Sequence, residues 1–207
     1  MFYRLTPELV IRSPWRPFRP RHGEHCLVLR GKGVFPHSHP TTHLCLELLK
    51  KALTSRPGPV VLDVGCGSGI LVLAALALGA PRAVAVDISR RAAAATRDNA
   101  TRNGLLPRLT VAQGSTECLR GPFGLTLANL PWGVQLAKVE ELSRLAGPGG
   151  VLILSGFKDT QEEPLRSSYQ ERGWTLQERR ERDSWAPELP PELSYTWVSW
   201  LLARPLS

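Results

Sequence analysis

The chain has 207 residues, 43% of them hydrophobic and 21% charged, and its net charge is +8 with a pI near 9.9. These values predict a soluble globular protein with the length of one large domain and exclude a disordered or fibrous chain. The longest apolar run, around Ile70–Leu78, falls well short of the roughly 18 residues a membrane span needs, so no membrane is expected among its partners.

The N-terminus MFYRLTPELV lacks a basic segment followed by an apolar one, so no secretory signal is expected. The four cysteines, Cys26, Cys45, Cys66 and Cys118, are scattered without a CxxC pair. That spacing suits a reducing cytoplasm rather than a disulfide frame or a zinc site. Residues 1–36 are expected to form an arm packed on or flanking a single domain that occupies 1–207. Within it, IRSPWRPFRPRHG (Ile11–Gly23) alternates arginine with Trp15 and Phe18. Its prolines favour an extended path, and its aromatics either stack on bases or pack against the domain.

Strands and helices then alternate. PVVLDVG (Pro59–Gly65) is a β-branched run ending in glycine, SGILVLAALALGA (Ser68–Ala80) a buried helix, and RAVAVDI (Arg82–Ile88) the next strand. SRRAAAATRDNATRNG (Ser89–Gly104) has a serine N-cap and a closing Asn-Gly, which marks a helix. Strands follow at Arg108–Ala112 and Gly124–Ala128, a helix across Val134–Ala146, the strand Val151–Gly156 and a helix across Asp159–Gly173. WTLQERRERD and LSYTWVSWLLA read as two final strands joined by the proline-rich WAPELPPEL, free to pair antiparallel. This alternation predicts a parallel sheet with helices on both faces. Trp174, Trp185, Trp197 and Trp200 are expected in the core and edge of the final hairpin, with Trp185 also a candidate for the border of a substrate entrance.

The chemistry starts at Asp63-Val64-Gly65-Cys66-Gly67-Ser68-Gly69. Glycines at alternate positions between a strand and a helix let a ligand lie against the backbone, and Cys66 between them reads as a small filler. Asp87 ends the next strand, with Ile88 beside it; a carboxylate there accepts both hydroxyls of a ribose. The third glycine comes too early for GxGxxG, so a dinucleotide fits less well than S-adenosylmethionine (SAM). TLANLPWGVQ (Thr126–Gln135) then delivers Asn129, Leu130, Pro131 and Trp132 to a strand tip.

Taken in order, HPTTHLCLELL (His39–Leu49), VLDVGCGSGILVLAALALGA (Val61–Ala80), AVDIS (Ala85–Ser89), DNATRNG (Asp98–Gly104), ANL (Ala128–Leu130), PGGVLILSG (Pro148–Gly156) and Trp185 resemble the catalytic domain of the PrmA-type methyltransferases, which modify the ribosomal protein of the large-subunit stalk base. The resemblance implies a Rossmann-like class I methyltransferase with a mostly parallel seven-stranded sheet and a C-terminal antiparallel hairpin. It implies SAM as cofactor, with contacts on Thr42, Gly65, Asp87 and Asn129. The wider candidate set for SAM is Thr41, Thr42, Asp63, Gly65, Cys66, Gly67, Gly69, Asp87, Ile88, Ser115 and Asn129. Of these, Thr41 and Thr42 open a helix towards the methionine carboxylate, and Ser115 follows the third strand near the adenine.

Three departures bear on the acceptor. The chain has no room for the separate N-terminal domain that grips the ribosomal protein. The stretch before His-Pro-Thr-Thr reads GVFPHSHPTT instead of a glycine-rich loop. Leu130 is followed by Pro131 and Trp132, which resembles the Asn/Asp-Pro-Pro-aromatic signature of methyltransferases acting on planar nitrogens.

At that tip the Asn129 oxygen and the Leu130 carbonyl would accept hydrogen bonds from an amino group, Pro131 would fix the turn, and Trp132 would offer a face to a flat or cationic group. A lysine amine, with a pKa of roughly 10.4, must first lose a proton, whereas a base amine or an amide is already neutral. The leading expectation is transfer to an amine of a translation-associated protein. An RNA base amine, a glutamine amide and a non-catalytic cofactor- or RNA-binding module stay open. HSHPTTH invites a metal reading at His37, His39 and His43, but histidines lining the cofactor pocket or packed at a helix start fit better, and no metal is expected.

Overall fold

The computed structural model describes residues 2–6, 9–15, 17–30, 38–56, 58–184 and 195–206. Trp185, the proline-rich linker and His37 lie outside the described residues.

Among the described residues, ten strands form two sheets and are accompanied by six α-helices. The large sheet is built from β4 (Val61–Val64), β5 (Ala83–Asp87), β6 (Leu109–Gln113), β7 (Leu125–Asn129), β8 (Val151–Lys158), β9 (Thr175–Ser184) and β10 (Tyr195–Ala203), in the order β6-β5-β4-β7-β8-β10-β9. β6 through β8 run parallel, while β10 lies antiparallel to both β8 and β9. This is the predicted seven-stranded sheet with its C-terminal hairpin.

Helices α1 (Pro40–Ser55), α2 (Ile70–Ala77), α3 (Arg90–Arg102), α4 (Trp132–Ala137), α5 (Val139–Ala146) and α6 (Glu162–Gln170) cover the sheet. β4 is buried along its whole length, and so are the first seven residues of α2, which explains why both read as unbroken apolar runs. α3 is capped as expected: Ser89 Oγ accepts the Ala92 amide (3.3 Å), and Gly104 follows with φ +67°. Trp174 and Trp200 are buried in the hairpin-side core, Trp200 edge-on to Phe157 at 4.9 Å.

Two segments differ from expectation. The helix expected over Val134–Ala146 starts at Trp132 and breaks at Lys138. At the junction Lys138 has φ −110° and ψ 12°, outside the α-helical range, so α4 ends and α5 begins there.

The expected N-terminal arm contains three strands, β1 (Phe2–Thr6), β2 (Leu9–Arg12) and β3 (His25–Val28), which form their own small sheet. Leu9, Ile11, Leu27 and Leu29 bury their side chains in the same core as α1 and α2.

Two asparagines one turn apart on α3 fasten this arm. Asn103 accepts the Val28 amide at Oδ1 (2.7 Å) and donates to the Val28 carbonyl (2.9 Å). Asn99 treats Arg30 the same way, at 2.9 and 3.1 Å. An i, i+4 pair of amides on a helix thus pairs with alternate residues of an extended segment, as a neighbouring strand would. Asn103→Ala is expected to cost about 1–2 kcal/mol, and hydrogen exchange at the Val28 amide should accelerate well beyond that of core strands.

Candidate active site

Parallel strands β4, β5 and β7 end at one level, and a cavity of about 610 Å³ opens above their carboxyl ends. This is where an open parallel sheet binds ligands. The loop after β4 forms its floor. Gly65 and Cys66 donate their amides to the Val86 carbonyl (2.8 and 3.1 Å), which ties the loop back to β5. Gly67 has φ +57°, and a Cβ built there would meet nothing within 4 Å. Backbone that only glycine adopts freely therefore faces open space.

Asp87 stands at the tip of β5. Its Oδ2 accepts the Gly67 amide (3.0 Å) and its Oδ1 the Ser89 amide (2.8 Å). Each carboxylate oxygen keeps lone-pair capacity for a further donor such as a ribose hydroxyl. Ile88 at the rim is 77% exposed, an apolar face beside a polar loop.

The opposite wall comes from α1 and β10. His39 N-caps α1: its Nδ1 accepts the Thr41 amide (3.4 Å) and lies 2.8 Å from the Thr41 hydroxyl. Burial holds its pKa below the ordinary histidine value, so the imidazole is neutral at pH 7. Its ring meets Trp197 edge-on at 4.9 Å, and both residues line the cavity. His43 is half-buried on α1, where Arg182 and Glu47 act on it electrostatically.

The strand-tip tetrad divides. Asn129, Leu130 and Pro131 line the cavity, and the Asn129 side-chain amide has no hydrogen-bond partner among the described residues. Trp132 does not line it. Its indole packs on the hairpin-side core and its Nε1 donates to the Gln161 carbonyl (2.8 Å).

The cofactor candidates divide as well. Thr41, Gly65, Gly67, Asp87, Ile88, Ser115 and Asn129 border the cavity. Thr42, Asp63, Cys66 and Gly69 do not. Thr42 is one residue, about 100° of helical rotation, past Thr41 and is buried against the core. Cys66 points under the loop and receives the Thr96 hydroxyl at 3.3 Å; burial pushes its thiol up to about 12. Gly69 caps α2 and is packed against Thr96. Asp63 is 1% exposed beneath the loop, where it accepts the Val72 amide (3.2 Å) at the start of α2.

Several lining or supporting residues went unnoticed in the sequence. Gln135 is fully buried and its Nε2 donates to the Leu130 carbonyl (2.9 Å) and to the Ser155 carbonyl. Gly156 has φ +100°, and a Cβ there would strike the Leu130 carbonyl. Lys138 borders the cavity and is paired with Glu117 and, at 3.4 Å, Glu141. A polar residue on a short apolar helix and a glycine inside a strand were the available signals for Gln135 and Gly156. Trp197, on the hairpin strand β10 as expected, also lines the cavity.

A ligand-sized cavity over a glycine loop and a strand-tip acid, on a seven-stranded sheet closed by an antiparallel hairpin, defines a Rossmann-like methyltransferase fold of class I. The profile of the ribosomal protein L11 methyltransferase (PrmA) family matches residues 4–187. The ribosomal protein L11 methyltransferase of Syntrophotalea carbinolica is 39% identical over 185 residues, covering 88% of this chain and 60% of that relative. The crystal structure of ribosomal protein L11 methylase from Lactobacillus delbrueckii subsp. bulgaricus superposes with a TM-score of 0.83 at 25% identity, covering 99% of this chain and 98% of that one. Magnesium protoporphyrin IX methyltransferase from Synechocystis, solved with SAM bound, shares the fold at a TM-score of 0.61 and 20% identity, over 77% of each chain. The chain belongs to the ribosomal protein L11 methyltransferase (PrmA) family, and it spans about 60% of the length of the Syntrophotalea relative.

The burial of Asp63 yields a pH prediction. Loss of hydration pushes its carboxyl up to about 7; the Val72 amide opposes the shift and the nearby Asp87 charge adds to it. Between about pH 4 and 7 the folded state therefore holds a proton the unfolded state lacks, and this contribution to stability fades as pH rises through that window. Asp63→Asn keeps the acceptor for Val72 and removes the titration. Its melting temperature relative to the parent should climb by a few degrees from pH 5 to 8, as read by thermal denaturation.

Proposed function

We propose that this chain is a SAM-dependent N-methyltransferase that works in the cytoplasm on an amine of a ribosomal protein, with L11 as the substrate to test first. The observation that carries the reading is the unpartnered Asn129 amide at the edge of a cavity whose floor is backbone and whose rim is an acid. The residues present fit the cofactor: Gly67 leaves open space above the loop, Asp87 keeps acceptor capacity, and Thr41 stands at the N-terminal turn of α1, which favours a carboxylate. When bound, SAM supplies an electrophilic methyl on a sulfonium.

The protein's own part is to aim and neutralise the acceptor. Asn129 Oδ1 and the second lone pair of the Leu130 carbonyl accept N–H groups and turn the nitrogen lone pair inward; effective transfer needs it about 3 Å from the reacting carbon. Gln135 already occupies the other lone pair of Leu130 and so fixes the direction of that carbonyl. An incoming lysine ammonium meets apolar walls at Val64, Val86 and Val134, which favour its neutral form. The indole that favoured a planar acceptor is outside the cavity, which leaves the protein amine as the better-supported substrate.

Tritiated SAM incubated with undermethylated ribosomes should place label in the protein fraction; label confined to RNA would overturn the acceptor assignment. Asn129→Ala should lose at least about 100-fold in transfer rate while its affinity for S-adenosylhomocysteine changes by less than about threefold, measured by calorimetry. Wild-type turnover in that variant would refute the role of Asn129. Gln135→Leu should lower kcat by about tenfold, again with product affinity preserved, because it releases the Leu130 carbonyl without touching the loop after β4.

A further inference from the structure

Charge is divided along this chain. Residues 1–138 hold 18 Lys and Arg against 7 Asp and Glu, a net +11, while residues 139–207 hold 8 against 11, a net −3. In the fold the first stretch builds the small sheet, α1 to α4 and the β6-β5-β4-β7 half of the large sheet; the second builds the β8-β10-β9 half with α5 and α6. The cavity opens between the two.

The basic side has a well-defined face. α3 buries Ala92, Ala93, Thr96, Asn99 and Ala100 and exposes Arg90, Arg91, Arg97 and Arg102 along a helix about 20 Å long, with Asp98 the one acid among its exposed positions. The Asn99 and Asn103 clasps lay the arm beside this helix. They bring in Arg30, whose guanidinium is 5.7 Å from the ring centroid of Trp15, and that indole is 78% exposed. Ser89 and Ala92, in and before the first turn of α3, line the cavity, so the face runs up to the mouth of the site.

The hairpin supplies an internal comparison. On β9, Arg179 pairs with Glu162 and Glu181, Arg180 with Glu178, and Arg182 with Glu47. Among the described residues, Arg90, Arg97 and Arg102 pair with no carboxylate. Guanidinium groups left without acids, together with an exposed indole on the arm clasped to the same helix, make a surface for phosphates and bases, since arginine forks match phosphate oxygens and aromatic faces accept stacked bases.

We propose that α3 and the arm form a docking face for single-stranded RNA, with Arg90, Arg97 and Arg102 on the phosphates and Trp15 as a stacking platform. This goes beyond the methyl-transfer reading: the RNA is a bound surface beside the site and not the methyl acceptor. An acidic protein segment is the competing partner. It would use the same charges but would have no use for Trp15.

Fluorescence anisotropy with a labelled 20-nucleotide single-stranded RNA, at 50 and 200 mM salt, tests the proposal. Three phosphate contacts give a log–log salt slope of about −2. Replacing Arg90, Arg97 and Arg102 together with Gln should abolish most of that slope and weaken binding at least about 30-fold at 50 mM salt. Trp15→Ala should weaken it about five- to tenfold with the slope unchanged. The control Arg172→Gln, Arg180→Gln, Arg182→Gln removes the same charge from the acidic third and should stay within twofold of the parent.

Equal losses in the two triple variants would mean that net charge alone binds RNA, and would overturn the proposal. Displacement of the RNA by polyglutamate at matched charge, with Trp15→Ala silent, would overturn it in favour of an acidic protein. If the α3 triple variant does not fold, Arg102→Gln and Trp15→Ala carry the same comparison singly. S-adenosylhomocysteine affinity is measured on every variant. Its loss in the folded parent would count against the methyltransferase reading, and RNA binding would be judged separately.

Discussion

The Asp87 carboxylate is the group on which the site depends. It reaches from the tip of β5 to the Gly67 amide above β4 and to the Ser89 amide that starts α3, so one side chain fixes a loop and a helix end together. Hydrogen bonds to a charged acceptor are worth about 1.5–3 kcal/mol each, enough to hold Gly67 in the left-handed conformation. The rest of the loop is satisfied from α3: the Thr96 hydroxyl donates to the Gly67 carbonyl (3.1 Å), and Asn99 Nδ2 donates to the Ser68 carbonyl (2.9 Å). A loop supplied with partners from beneath and from one side needs no side chain above it. That is how the cavity stays open without leaving buried backbone unpaired. Asn99 also holds Arg30, so the N-terminal arm and the glycine loop share one amide.

The second constraint lies on the Leu130 carbonyl. Gly156 lets it approach β8 because any Cβ there would collide with it, and Gln135 ties it to the Ser155 carbonyl from the other side. The Leu130 amide also donates to Ser155 (3.0 Å). The residue after Asn129 is therefore clamped by β8 and α4 at once. A strand tip held from two directions can present an acceptor at a fixed angle, and the cost of ordering it is met during folding rather than during turnover.

These two constraints mark the boundary of what the sequence discloses. The loop after β4, Asp87 at the next strand end and the Ser89 cap are local patterns, and the structure places them as their spacing implies. Gln135 and Gly156 matter only through each other's neighbours, on elements some 20 residues apart, so neither carries a local signature beyond being out of place. Two tryptophans show the same limit. Trp132, adjacent to the tip in sequence, is turned away by the first turn of α4, whereas Trp197, far along the chain, is brought to the cavity by the register of β10 on β8, where it faces Lys158. The strands of the N-terminal arm, four or five residues each and separated by prolines, are too short to show a period until α1, α2 and α3 supply surfaces for them.

The arginine content, one number in the composition, has two separate physical uses. β9 is the outer strand of the large sheet, and its run TLQERRERDS alternates charges that pair across to Glu47, Lys51 and Glu162. Charged side chains on an exposed strand edge prevent it from pairing with another chain, and neutralising one another there they add little to the outer field. On α3 the same residue type projects from a helix whose opposite face is packed, and Arg90, Arg97 and Arg102 pair with no carboxylate among the described residues. Surface position therefore decides which charges matter for binding. The hairpin's contribution cancels locally, and the positive field that remains is concentrated on the flank of the cavity that carries the cofactor loop. A substrate presented on a polyanion would be drawn towards that flank, and the asymmetry thus gives the site a preferred direction of approach.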